Sequence, residues 1–143
     1  LVLGGHGDDM VPLKNYTSVS GVPIAQMIQD SRLDEIIQRT RDGGAEIVKL
    51  LKTGSAFYAP GVSAIEMAES ILKNQNKILP CCTLAQGQYG ISEQFLGLPV
   101  ILSSEGVKKV IEIKLTPEEQ KELVVSASHV KELCNFIDES GLI

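Results

Sequence analysis

The spacing of apolar positions changes several times along this chain, and each change marks an element. Leu1-Val2-Leu3 is a short continuous apolar run that stops at Gly4-Gly5. It reads as the end of a buried strand passing into a loop. Thr17, Val19, Val22 and Ile24 flank Ser20-Gly21, a tight-turn signal that predicts a hairpin over residues 16–24. Residues 25–29 suit one or two helical turns. Leu33, Ile36, Ile37, Thr40, Gly44, Ile47, Val48 and Leu51 then recur at steps of three and four. That spacing predicts a long helix over 33–51 with one apolar face, weakly capped by Ser31 and Asp34. Gly43-Gly44 inside it costs about 1 kcal/mol per glycine relative to alanine, so close approach of another element is expected there.

A second helix is predicted over 60–73, with Ala64, Ile65, Ala68, Ile71 and Leu72 on its apolar face. Three strands follow, over 78–84, 98–102 and 107–113. Pro80 pushes the first toward a sheet edge or a bulge, and Ser104-Glu105-Gly106 joins the other two as a hairpin loop. The last helix has the clearest boundary. Thr116 is its N-cap, Pro117 its first residue and Glu119 the partner in a capping box. Leu123, Ala127, Val130, Cys134 and Ile137 form its apolar face, and Gly141 follows it. Strands, then helices, then antiparallel strands, then a helix make an α+β domain: an antiparallel sheet packed by long helices.

Composition narrows the function classes. With 143 residues the chain suits one domain. A net charge of −5, no Trp and only six Phe plus Tyr argue against nucleic acid as a partner. No apolar run approaches the ~20 residues that a membrane span needs. Cys81, Cys82 and Cys134 are odd in number, and two are adjacent, which favours a reducing, cytoplasmic setting over a disulfide framework. The start at Leu1, without an initiator Met, is read as a cut within a longer protein.

His6 is the first chemical candidate. It follows a buried strand and lies between Gly5 and Gly7, which leave room for a small substrate near the imidazole. A histidine with a pKa of about 6.5 can take and give a proton at neutral pH, although a loop histidine with only local hydrogen bonds fits the bare spacing equally well. No metal site is expected. Adjacent Cys81 and Cys82 point to opposite faces of a strand and do not converge on one ion. Asp8 and Asp9 read as loop-shaping or solvated, Arg32, Arg39 and Arg41 as a solvated helix face, and His129 as solvated.

The wider string Gly4-Gly5-His6-Gly7-Asp8-Asp9-Met10-Val11-Pro12 resembles the active-site histidine segment of the lactate/malate dehydrogenase family. It looks most like the malate dehydrogenases with a lactate-dehydrogenase-like sequence. Gly43-Gly44-Ala45-Glu46-Ile47-Val48, Gly54 to Gly61, and Tyr89-Gly90 with Phe95-Leu96-Gly97-Leu98-Pro99 resemble later segments of that family, in the same order. The resemblance spans nearly the whole chain. It implies the C-terminal, substrate-binding and catalytic half of such an enzyme over residues 1–143, with the Rossmann NAD-binding half absent.

On this resemblance malate is oxidised to oxaloacetate by hydride transfer to NAD, a reaction of the tricarboxylic acid cycle. His6 is the proton acceptor and donor. Gly5, Gly7, Ser55 and Ala56 lie beside the substrate, and Pro60 and Met10 near the cofactor. Ser55-Ala56 stands where the lactate branch usually has Tyr-Thr, and the smaller side chains suit a dicarboxylate. A helix N-terminus with Pro in its first turn explains residues 55–60 equally well. NAD would be held mainly by the missing half, since no G-x-G-x-x-G occurs here. The family's orienting Asp and carboxylate-gripping arginines lie upstream of its histidine, so the fragment alone is expected to be inactive. A homodimer or homotetramer is implied, with the Gly43-Gly44 helix as a contact. The alternatives are a lactate or other 2-hydroxyacid dehydrogenase domain, and a non-catalytic oligomerisation or binding domain of the same fold.

Overall fold

A computed structural model describes residues 1–141. Seven strands and three helices follow one another: β1 (Val2–Gly4), β2 (Met10–Pro12), β3 (Ser18–Val19), β4 (Val22–Pro23), α1 (Asp30–Leu51), α2 (Tyr58–Leu72), β5 (Lys77–Gln86), β6 (Ser92–Ser103), β7 (Gly106–Val110) and α3 (Pro117–Ser140). Five strands form the main sheet, in the order β2-β1-β6-β5, with β7 also on β6. Every pairing is antiparallel. The α+β expectation holds.

β6 organises the sheet. Leu96, Leu98, Val100 and Leu102 alternate along it and are all buried. β5 covers one edge of β6 along its length. β1 and β7 share the other edge, meeting it at Gly97 and at Val100–Ser103. β5 is thus an outer strand, as Pro80 requires, because proline offers no N–H to a further neighbour. The register shift in β5 falls at Ala85/Gln86 instead of at Pro80.

α3 packs its first half on this sheet. Leu123 and Ala127 join Leu3, Val11, Leu13, Ala85, Ile91, Leu96 and Leu98 in the main core. Thr116 Oγ1 accepts from the Glu119 N–H at 3.1 Å, and Glu119 Oε2 accepts from the Thr116 N–H at 2.8 Å, completing the expected capping box. Beyond Val130 the helix is exposed, so Cys134 and Ile137 do not continue the buried stripe. The small hairpin also forms. Ser20 at φ 50° and Gly21 at φ 86° both carry the positive φ of a type I′ turn.

Several boundaries differ from the sequence reading. α1 begins at Asp30 with Gln29 as its N-cap, and Ser31 caps nothing. α2 begins at Tyr58, two residues before Pro60. β6 extends back to Ser92 and β2 appears as a new strand, while β7 ends at Val110. The apolar faces of α1 and α2 are largely uncovered. Leu33 is the buried residue of α1, and Ile65 and Leu72 of α2 are 68% and 84% exposed. α2 instead turns Ser70 and Ile71 toward the sheet, where Ser70 Oγ donates to the Leu102 carbonyl at 2.8 Å. The periodicity identified both helices correctly, but the rest of the described chain covers only part of each stripe, at Leu33 and at Ile71.

Candidate active site

The loop that carries His6 is short and held at both ends. It leaves β1 at Gly4, makes one turn of 3-10 helix over Gly7–Asp9, and enters β2 at Met10. β1 and β2 pair Gly4 with Met10, which fixes the ends. The Gly5 N–H donates to the Asp9 carbonyl at 3.2 Å and to Ser126 Oγ at 2.8 Å. His6 therefore projects, exposed, from a loop whose backbone is anchored to the sheet and to α3.

His6 and Gly7 open onto a cleft of about 650 Å³. Ser55, Ala56, Ala59 and Pro60, at the start of α2, line it too. The α1 segment Arg41–Ala45, with Ile47 and Val48, closes a third side. The sequence-predicted residues His6, Gly7, Ser55, Ala56 and Pro60 are thus brought to one place. A volume of this size suits a small organic acid with part of a second ligand.

Local chemistry gives the cleft its character. α2 has no side-chain cap, because Phe57 at its N-cap offers no acceptor. The Phe57 N–H donates to the Ser55 carbonyl and Pro60 has no N–H, so Tyr58 and Ala59 supply the free first-turn N–H groups. Ala59 lines the cleft, which also holds Arg41 and the carboxylates of Asp8 and Asp42. Gly43 and Gly44 do not admit a packed neighbour as expected. A Cβ at either would meet nothing within 4 Å. Their small size keeps the cleft open.

Gly5 and Met10 lie elsewhere. Gly5 faces Asp9 and Ser126, and a Cβ there would come 2.9 Å from Asp9 Cβ. Met10 lines a neighbouring hollow with Asp9, Glu122 and Ser126. Its carbonyl accepts from Arg41 Nε at 3.1 Å. Arg41 is the main residue that sequence reasoning misplaced. Instead of facing solvent it turns inward, lines the cleft and pairs with Glu122 at 3.2 Å. Arg32 and Arg39 do form surface pairs, with Glu35 and Glu46.

His129 is also not simply solvated. Its Nδ1 lies 2.7 Å from Asp9 Oδ1. The hydrogen bond and charge of Asp9 raise the His129 pKa above its ordinary value. Asp9 thus shapes the loop by holding α3. Cys81 is buried and Cys82 exposed, on opposite faces of β5.

The model of the lactate/malate dehydrogenase, alpha/beta C-terminal domain matches residues 1–139. The chain belongs to the lactate/malate dehydrogenase family. It is 52% identical over 134 residues to a malate dehydrogenase of Pelodictyon phaeoclathratiforme, covering 94% of this chain and 43% of that protein. It is 50% identical over 147 residues to a malate dehydrogenase of Cereibacter sphaeroides, covering 97% and 46%. Among solved structures it resembles malate dehydrogenase from Salinibacter ruber, with a TM-score of 0.92 and 48% identity over 98% of this chain and 47% of that one. Lactate dehydrogenase from Eimeria maxima, solved with NADH and oxamate, gives a TM-score of 0.93 and 38% identity over 99% and 46%. The chain spans less than half the length of these dehydrogenases and corresponds to their C-terminal domain.

Proposed function

We propose that this chain is the substrate-binding and proton-transferring half of an NAD-dependent malate dehydrogenase. One observation carries the reading: His6 and Gly7 line the same cleft as Ser55, Ala56 and Pro60 at the uncapped start of α2. The group that moves a proton and a helix start with free N–H groups thus share one small space. The malate dehydrogenase relatives supply the substrate. The small Ser55-Ala56 pair supports a dicarboxylate over a monocarboxylate.

His6 takes the C2 hydroxyl proton of malate on a ring nitrogen. The C2–H bond breaks with its electron pair leaving as hydride, and the C2–O bond becomes the carbonyl of oxaloacetate. In reverse, the protonated ring donates to the ketone oxygen and draws charge from the carbon. General acid–base transfer of this kind contributes about 10²–10⁴-fold. Ser55, Ala56 and Gly7 set the width of the site, and the α2 N–H groups favour a substrate carboxylate.

The residues present fit one end of NAD. Ala56, Ala59 and Pro60 form a small, mostly apolar wall on which a flat ring can lie. NAD, when bound, supplies a hydride acceptor, and its phosphates need a glycine-rich loop outside this chain. Met10, in the neighbouring hollow, is the weaker of the two cofactor assignments. We place the enzyme in the cytoplasm as a homo-oligomer. The three free thiols and the uncovered α1 stripe support that placement. The chain alone is expected to be inactive.

Steady-state assays of the whole enzyme on oxaloacetate and pyruvate test the proposal. Oxaloacetate should be preferred, and His6→Asn should lower kcat by about 10²–10⁴-fold. Preference for pyruvate would make the enzyme a lactate dehydrogenase. Near-normal turnover by the Asn variant would remove His6 from the reaction.

A further inference from the structure

The third helix comes unusually close to the chain just before His6. A Cβ on Gly4 would lie 2.7 Å from Ser126 Oγ and 2.8 Å from the Asp9 carbonyl oxygen. On the other side, a Cβ on Gly97 would lie 2.5 Å from the Gly4 carbonyl oxygen. Gly4 is therefore clasped between β6 and α3, and its φ of +83° sets the direction in which the chain departs. Ser126 is 1% exposed. Its hydroxyl is saturated within this clasp: it accepts from the Gly5 N–H at 2.8 Å and donates to the Asp9 carbonyl at 2.8 Å. Gly5 and Asp9 are the two ends of the loop that presents His6. One buried hydroxyl thus ties both ends together, 117 residues along the chain from Asp9.

We propose that Ser126 is a positioning residue for His6, acting through the Gly5–Asp9 backbone; this rests on the reading of His6 as the proton carrier. Among the described residues, the His6 ring has no hydrogen bond of its own, so its place is set by its backbone. The Gly5–Asp9 bond at 3.2 Å is long for an N–H···O bond. The serine bridges are shorter and span the same two residues. On the outer side of the loop, Asp9 holds His129 and Met10 holds Arg41, so the loop is also braced by side chains of α3 and α1. Ser126 differs from these because it is buried and bonds backbone only.

The test uses the whole enzyme with Ser126→Ala. Hydrogen exchange should rise over residues 5–9 and stay as in the parent over β5 and β6. The same variant should lose about 10-fold in kcat on oxaloacetate, with KM changed less than about twofold, because placement and not ground-state binding is disturbed. Slower chemistry should raise the kinetic isotope effect with deuterated NADH, which a mere loss of stability would not do. Ser126→Cys, similar in size with a weak S–H donor, serves if the Ala variant does not fold, and the same changes are expected. Unchanged exchange over residues 5–9 would overturn the proposal. So would a loosened loop with kcat and isotope effect unchanged. The exchange measurement needs no turnover. A protein inactive on oxaloacetate would unseat the functional reading, while the exchange result would still uphold or overturn the tether.

Discussion

α1 and α3 are 22 and 24 residues long, and both carry an apolar stripe, yet they are packed very differently. α3 seals Leu123, Ser126 and Ala127 against the sheet, whereas α1 seals Leu33 and leaves Ile36, Ile47, Val48, Leu50 and Leu51 open. The stripe specifies a helix in both cases. Burial comes only where a sheet stands behind it. The cleft lies across this difference. His6 projects from the packed side, next to the main core, and the α1 and α2 walls belong to the side with little support of its own. A group that must meet a reacting atom within a fraction of an ångström belongs on the rigid wall. The other wall is free to be completed by a covering surface.

Matched substitutions break or sharpen this contrast. Leu123→Ala, at a site with no exposure, should cost this chain about 2–5 kcal/mol. Leu50→Ala, at 73% exposure, should stay within about 0.5 kcal/mol. Urea unfolding followed by circular dichroism measures both. Equal losses would erase the contrast, and a large Leu50 effect appearing only in an assembled enzyme would show that its partner covers α1. Gly97→Ala should cost about 1–3 kcal/mol or more, because the new methyl group meets the backbone of Gly4 and not a side chain that can move. It should also disturb the His6 loop more than the α2 wall, which hydrogen exchange resolves.

Smaller effects follow at the start and in the middle of α3. Thr116→Ala removes the N-cap and should cost about 1 kcal/mol, read by the same unfolding curves. The Asp9–His129 pair is exposed and contributes less. Its pH dependence has a defined sign. Asp9 raises the His129 pKa above 6.5 in the folded chain, so the pair stabilises fully below 6.5 and fades as pH rises through the raised value. Parent and His129→Gln should therefore differ in stability at pH 6 and converge at high pH. A difference that grew with pH would reject the pairing.

The sequence was most legible where one local rule decided the outcome. The capping box placed the start of α3, Ser20-Gly21 placed the hairpin turn, and Pro80 placed β5 at an edge. It was least legible where the deciding partner was remote. Ser92-Glu93-Gln94 looks polar and loop-like, but pairing with β5 draws it into β6. Arg41 sits on a charged helix face, and only the fold shows that the Met10 carbonyl waits 31 residues away. Family motifs mark His6, Gly7, Ser55, Ala56 and Pro60, which the fold brings to one cleft, whereas Ser126 carries no motif. A serine beside the apolar face of a helix reads as neutral until the loop it ties is seen. The stripes of α1 and α2 stay largely open because periodicity records a preference for burial and not the presence of a cover.

The alternation along β5 places two thiols in opposite circumstances one residue apart. Cys82 is exposed, while Cys81 is buried among Val100, Leu102 and Ile71 of α2, and burial pushes its thiol pKa up. A brief pulse of alkylating reagent should mark Cys82 and Cys134 at once. Cys81 should react only when the packing between α2 and the sheet opens. Neighbouring sulfurs thus provide an internal clock for the loosening of α2 from the sheet, with the faster-reacting atom as its own reference.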